Sequence, residues 1–177
     1  VCVADIQEEK GKRFVEDLQK RYGSGHAIFS TCDVTKETDF RNTFDETLKA
    51  FLKIDLLVNN AGVSFCEAKR ILQVNTLGTL NGCQTAIDYM SKSSGGNGGI
   101  VINIASIVGL MPCPEAPVYA ATKHFIVGLT RSYGASVHYS EHGITFSALC
   151  PSIIETEMAA RAKELLQKRP KRWSAIM

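Results

Sequence analysis

A chain of 177 residues that is 45% hydrophobic and 21% charged can bury one sizeable core and reads as a single globular domain over 1–177. A formal charge of +2 gives no general attraction to nucleic acid or an acidic membrane, and no apolar run approaches the ~20 residues of a membrane span. Six cysteines (Cys2, Cys32, Cys66, Cys83, Cys113, Cys150) lie scattered with no C-x-x-C pair, which argues against a disulfide framework or a metal site and for free thiols in a reducing, cytoplasmic setting.

Residues 1–6 are apolar and β-branched and end in an acid, which predicts a buried strand with Asp5 at its carboxyl end. Residues 7–22 place Phe14, Leu18 and Tyr22 at helical spacing before Gly23. A second strand is expected at 27–31, delivering Cys32, Asp33 and Val34. Thr35 is read as the cap of a helix whose apolar face is Phe40, Phe44, Leu48 and Phe51. A third strand over 54–58 ends in Asn59-Asn60-Ala61-Gly62, and 71–90 reads as a long helix carrying Asn75 near its start. After a Gly/Ser loop at 93–99, a strand over 100–105 stops at Ser106. Three prolines make 111–117 a loop, and the next helix is expected to run to about Val137. A strand over 144–149 closes in Cys150-Pro151, and the amphipathic 155–168 trails into a basic end, Lys168 to Trp173, read as a solvated helix terminus rather than a nucleic-acid patch.

Apolar strands alternating with helices predict an α/β fold, a doubly wound parallel sheet of Rossmann type. In such sheets ligands bind beyond the carboxyl ends of the strands. Asp5, Asp33, Asn59 to Gly62, Ser106 and Pro151 all fall there. Tyr119 and Lys123, spaced i, i+4, share one helix face. A phenol is a poor base near neutrality, and a nearby ammonium favours the phenolate, so the pair is expected to bring the tyrosine toward its working range. Alone, Ser106 also fits a strand-end turn residue and Asn75 a helix kink or cap.

Asn59-Asn60-Ala61-Gly62, Asn75, Ser106, and Tyr119 with Lys123, in that order, resemble the short-chain dehydrogenase/reductase family, and the resemblance covers nearly the whole chain. Within it, the Gly62–Asn75 interval, Asp88 to Lys92, Gly109-Leu110-Met111-Pro112 and Pro117-Val118-Tyr119 are most similar to the NAD-dependent 15-hydroxyprostaglandin dehydrogenases. The resemblance implies an oxidoreductase in which Tyr119 is the base, Lys123 lowers its pKa and holds the nicotinamide ribose, and Ser106 holds the substrate oxygen. Asn75 would bend the long helix and hold a water linked to Lys123. It also implies a cofactor bound by Asp5, Asp33, Val34, Asn59, Ala61, Gly62, Tyr119, Lys123, Pro151, Ile154 and Thr156. Asp5, a carboxylate placed to accept from ribose hydroxyls and repel a 2′-phosphate, favours NAD. The implied substrate is a small hydrophobic alcohol or ketone, prostaglandin-like or otherwise, and the implied assembly a homodimer.

Three departures qualify the resemblance. The family's opening strand and glycine-rich turn are not in these 177 residues, so the sheet is expected to be incomplete, starting at strand two. Its centre would then carry two unpaired edges, and the piece as written is expected to bind NAD weakly. Pro151-Ser152 stands where the family has Pro-Gly, so Ser152 is expected to crowd the nicotinamide or strain its φ. Ala116 replaces a glutamine before Pro-Val-Tyr, which suggests a different substrate. Two other readings are a catalytically dead fragment acting as a dimerisation partner, and an NADP-dependent carbonyl reductase. Upstream sequence discriminates the first and cofactor preference the second.

Overall fold

The computed structural model describes residues 1–167 and alternates strand and helix along them. The order is β1 (Cys2–Asp5), α1 (Glu8–Tyr22), β2 (Ile28–Thr31), α2 (Glu37–Phe51) and β3 (Leu56–Asn59). A continuous helical run follows: α3 (Ala68–Leu72), a π-helical turn (Gln73–Leu77) and α4 (Gly78–Met90). Then come β4 (Gly99–Ile104), α5 (Pro117–Tyr133), α6 (Ser136–His142), β5 (Ile144–Leu149) and α7 (Glu157–Gln167). The basic end at 168–173 lies outside the described residues.

Local chemistry accounts for most boundaries. Glu8 and Glu9 open α1 and Lys20 and Arg21 close it, each complementing the helix dipole. Gly23, at φ +96°, then ends the helix by donating its N–H to the Gln19 carbonyl. Two expectations fail. Thr35 does not cap α2: its N–H and hydroxyl both bond the Asp33 carboxylate, and Lys36 occupies the cap position without a side-chain bond. The Tyr119 helix ends at Tyr133 rather than near Val137, because Gly134 and Ala135 break it and a separate α6 follows.

The strands are all parallel but fall into two sheets, β1-β2 and β3-β4-β5. Between β1 and β3 lies a cavity of about 520 Å³, bordered by Cys2, Ala4 and Asp5 on one side and Leu57, Val58 and Asn59 on the other. This cleft is where the sequence puts the absent central strand. On β2, Phe29 closes against Gly11 of α1, where a Cβ would come within 2.0 Å of the ring, whereas the neighbouring Ser30 bonds Thr43 of α2 at 2.9 Å. Successive strand residues point to opposite faces, so α1 and α2 cover opposite faces of β1-β2.

The main core lies on one face of β3-β4-β5, where Phe40, Phe44, Cys83, Met90, Val101, Ile144 and Phe146 are buried together. Each large side chain buried there contributes roughly 1.5–3 kcal/mol. On the opposite face Leu56, Val58, Ile100 and Leu149 are exposed, so among the described residues this sheet is covered on one side only. The winding is double at β1-β2 and single at β3-β4-β5.

Candidate active site

Pro117 starts α5, where its missing N–H costs nothing, and puts Tyr119 in the first turn with Lys123 one turn on. Lys123 is 4% exposed; its Nζ lies 5.5 Å from the Tyr119 ring centroid and donates to the Ile104 carbonyl at 2.7 Å. Ser106, just past β4, opens a 3-10 turn over Ile107–Gly109; its Oγ accepts from the Val108 N–H at 3.4 Å and lies near enough to the Tyr119 phenol to favour the phenolate. Gly109 makes that meeting possible. A Cβ there would sit 2.7 Å from the Lys123 carbonyl oxygen, so only glycine lets the turn press against α5.

Asn75 sits in the π-helical turn and is fully buried. Its Oδ1 accepts from the Val63 N–H at 2.8 Å, and its Nδ2 donates to the Val63 carbonyl and to Thr122 Oγ1, both at 3.0 Å. Thr122 in turn donates to the Tyr119 carbonyl at 2.7 Å. The amide thus ties the loop after Gly62 to the helix of Tyr119 and Lys123. At Asn75 the helical run widens into a π turn.

The electrostatics differ from expectation. Burial pulls Lys123 down to about 8, whereas burial pushes Tyr119 up, only partly opposed by the Ser106 hydrogen bond. The lysine does not depress the phenol here because its ammonium is aimed at the Ile104 carbonyl and not at the phenol oxygen.

The other predicted residues are distributed around this cluster. Asp5, Val34, Asn59 and Ala61 line the cleft between the sheets; Asp5 Oδ1 accepts from the Gln7 N–H at 2.8 Å. Gly62 faces the core of the site, since a Cβ on it would lie 3.5 Å from Asn75 Oδ1 and 3.7 Å from Lys123 Nζ. Burial would raise Asp33, but bonds from Thr35, with Arg70 and Lys36 nearby, hold its carboxyl below the usual range. Asn59 turns its amide inward, Nδ2 donating to Asn103 Oδ1 at 2.8 Å, so it braces the strand ends more than it floors a ligand site. The Pro151 carbonyl accepts from Ile107 N–H at 2.8 Å, which joins the end of β5 to the Ser106 turn. Ile154 and Thr156 are exposed, and Thr156 Oγ1 accepts from Ala159 N–H at the start of α7, so neither joins the Tyr119 cluster by any described contact. Ser152 has no positive φ, so the expected backbone strain is absent.

Sequence reasoning missed Thr122 and the buried set of Asn103, Cys83 and Thr130. Asn103 Nδ2 donates to Thr130 Oγ1 at 2.9 Å, and Cys83, its pKa pushed up to about 11 by burial, sits between Asn59 and Asn103. A polar residue inside an otherwise apolar strand was the available signal for Asn103. Thr122, between the two motif residues, carried none.

The short chain dehydrogenase family model matches residues 1–166. The chain belongs to that family. Rat and human 15-hydroxyprostaglandin dehydrogenase [NAD(+)] are each 38% identical over 157 residues, 88% of this chain. The chain spans 59% of the length of these relatives. Among solved structures, a short-chain dehydrogenase/reductase from Burkholderia phymatum in complex with NAD superposes with a TM-score of 0.80 at 26% identity, covering 96% of this chain and 61% of its own. ElxO with NADP bound gives 0.76 at 30% identity, covering 99% and 72%. The solved structures of this fold thus include one with NAD and one with NADP bound. Among the described residues no helix is long and apolar enough to cross a membrane.

Proposed function

We propose that the protein carrying this chain is an NAD-dependent dehydrogenase that oxidises a secondary alcohol on a small hydrophobic substrate. The observation that carries this reading is the meeting of three elements at one point. The end of β4 brings the Ser106 hydroxyl to the Tyr119 phenol, one helical turn above a buried Lys123. Tyr119 is the proton acceptor and Ser106 the donor that steadies the substrate oxygen as its charge grows. Lys123, its ammonium held by the Ile104 carbonyl, stands one turn along the same helix where it would meet the cofactor, and Asn75 with Thr122 fixes where α5 stands.

The chain's residues fit a nicotinamide dinucleotide at two of its parts. Asp5 and Val34 line the cleft on the adenosine side, and Gly62 stands beside Asn75 and Lys123, where a ribose would be held. When bound, the cofactor supplies the hydride acceptor. Asp5 selects NAD over NADP because its carboxylate accepts from ribose hydroxyls and repels a 2′-phosphate.

The similarity to prostaglandin dehydrogenases supports the hydrophobic substrate class, and Ala116 argues for a substrate other than a prostaglandin itself. Homodimerisation in the cytoplasm completes the reading. Leu72, Leu77 and Phe125 are exposed on the helices that carry Asn75 and Tyr119, and they are the surface on which two copies would meet. In the full-length protein, Tyr119→Phe should abolish NADH formation from secondary alcohols while NAD binding persists. A variant that keeps its rate would show that the base lies elsewhere.

A further inference from the structure

An asparagine in the middle of an apolar strand destabilises it unless the polar atoms of its amide are met. Asn103 stands on the buried face of β4, two residues on from Val101, and both are fully buried. Groups from three other elements meet its amide. Oδ1 accepts from Asn59 Nδ2 at the end of β3, at 2.8 Å, and faces the Cys83 thiol of α4 at 3.6 Å. Nδ2 donates to Thr130 Oγ1 of α5 at 2.9 Å. Thr130 gives its own hydrogen to the Ile126 carbonyl at 2.7 Å, so only a donor suits the place facing it. The amide is thereby fixed in one orientation.

These four elements are the ones that carry the site. Asn59 and Asn103 are register partners in the parallel pair β3-β4, and each strand runs on three residues to a site position, Gly62 and Ser106. Thr130 lies seven residues beyond Lys123 on α5, about two helical turns, and Cys83 follows Asn75 along the helical run that ends in α4. The helix of Tyr119 is joined to β4 twice, by Lys123 Nζ to the Ile104 carbonyl at the site and by Asn103 to Thr130 behind it. With two joints at different heights, α5 cannot slide or turn against β4 without breaking a buried bond.

Resting on the reading of Ser106 and Tyr119 as the pair that holds the substrate oxygen, we infer that Asn103 is a positioning residue for the reaction: its amide sets the separation of Ser106 and Tyr119 by locking β4 to β3 and to α5. A misplacement of about 1 Å at such a pair lowers the rate by up to about a hundredfold. The brace acts on turnover and leaves the adenosine side alone, because Asp5 and Val34 belong to the other sheet and the loop after it.

The test uses the full-length protein with NAD and octan-2-ol. Asn103→Ala should lower kcat about tenfold or more while the KM for NAD stays within about twofold of the wild type. Thr130→Val, which removes only the bond to α5 at nearly constant volume, should lower kcat about threefold. Val101→Ala, a truncation on the same face of the same strand, is the control: it unfolds at lower urea but keeps kcat within about twofold. The inference is overturned if Asn103→Ala keeps its kcat, or if Val101→Ala loses as much. Should Asn103→Ala fail to fold, Thr130→Val decides, and an unchanged kcat there overturns the inference. Crystal structures of the full-length wild type and Thr130→Val give a readout free of turnover. The separation of Ser106 Oγ from the Tyr119 phenol oxygen should change by about 0.5 Å or more, and an unchanged separation overturns the inference. If the separation changes but the wild type oxidises no secondary alcohol, the positioning by Asn103 stands and the dehydrogenase reading falls.

Discussion

Replacing Lys123 by methionine isolates the cost of holding a charge inside this site. The lysine is almost wholly buried and its pKa falls from 10.5 to about 8, a displacement that burial causes. Each pKa unit corresponds to about 1.4 kcal/mol, so keeping the ammonium in the folded protein costs roughly 3 kcal/mol wherever both states are protonated. The sign follows from the direction. The folded pKa lies below the unfolded one, so the unfolded chain holds more protons between the two values and stability rises with pH across that window. The penalty is complete below about pH 8 and fades as pH approaches the unfolded value. From about pH 7.5 to about pH 9.5 the wild type should gain about 2 kcal/mol that Lys123→Met does not. Urea unfolding of both full-length proteins across that range reads the difference, with all other titrations common to the pair. Keeping below pH 10 avoids the Tyr119 phenol, which burial pushes the other way. A difference between the two proteins that stays flat with pH would refute the argument that this ammonium is held against its desolvation.

Three further outcomes follow from the same geometry. Asn75→Ala removes the side chain that bonds Val63 and Thr122, and should destabilise the protein by about 2–4 kcal/mol, measured by denaturant unfolding. Gly82→Ala puts a Cβ 2.1 Å from Asn59 Oδ1, a contact that cannot relax without breaking the Asn59–Asn103 bond, and should lower stability by about 1–3 kcal/mol. Gly109→Ala should leave most of the stability but displace Ser106 from Tyr119, visible as a kcat loss of about tenfold or more.

The sequence by itself determined the order of strands and helices, their parallel pairing, and the rim on which Asp5, Asn59, Ser106 and Pro151 fall. Those follow from local periodicity and from the rule that polar residues at strand ends collect on one edge. Tyr119 and Lys123 were legible as a pair because one helical turn relates them. Tertiary structure alone decided what each group faces. The lysine aims at the Ile104 carbonyl and the phenol stays half-buried, so the pKa of Tyr119 moves up rather than down. Asn59 turned inward to Asn103 for the same kind of reason: a buried amide takes whatever partner the neighbouring strand offers, and register, not sequence spacing, chooses it. Thr35 left its cap for Asp33, and Ile154 and Thr156 stood apart from the site, because no local signal encodes where a loop meets the rest of the fold.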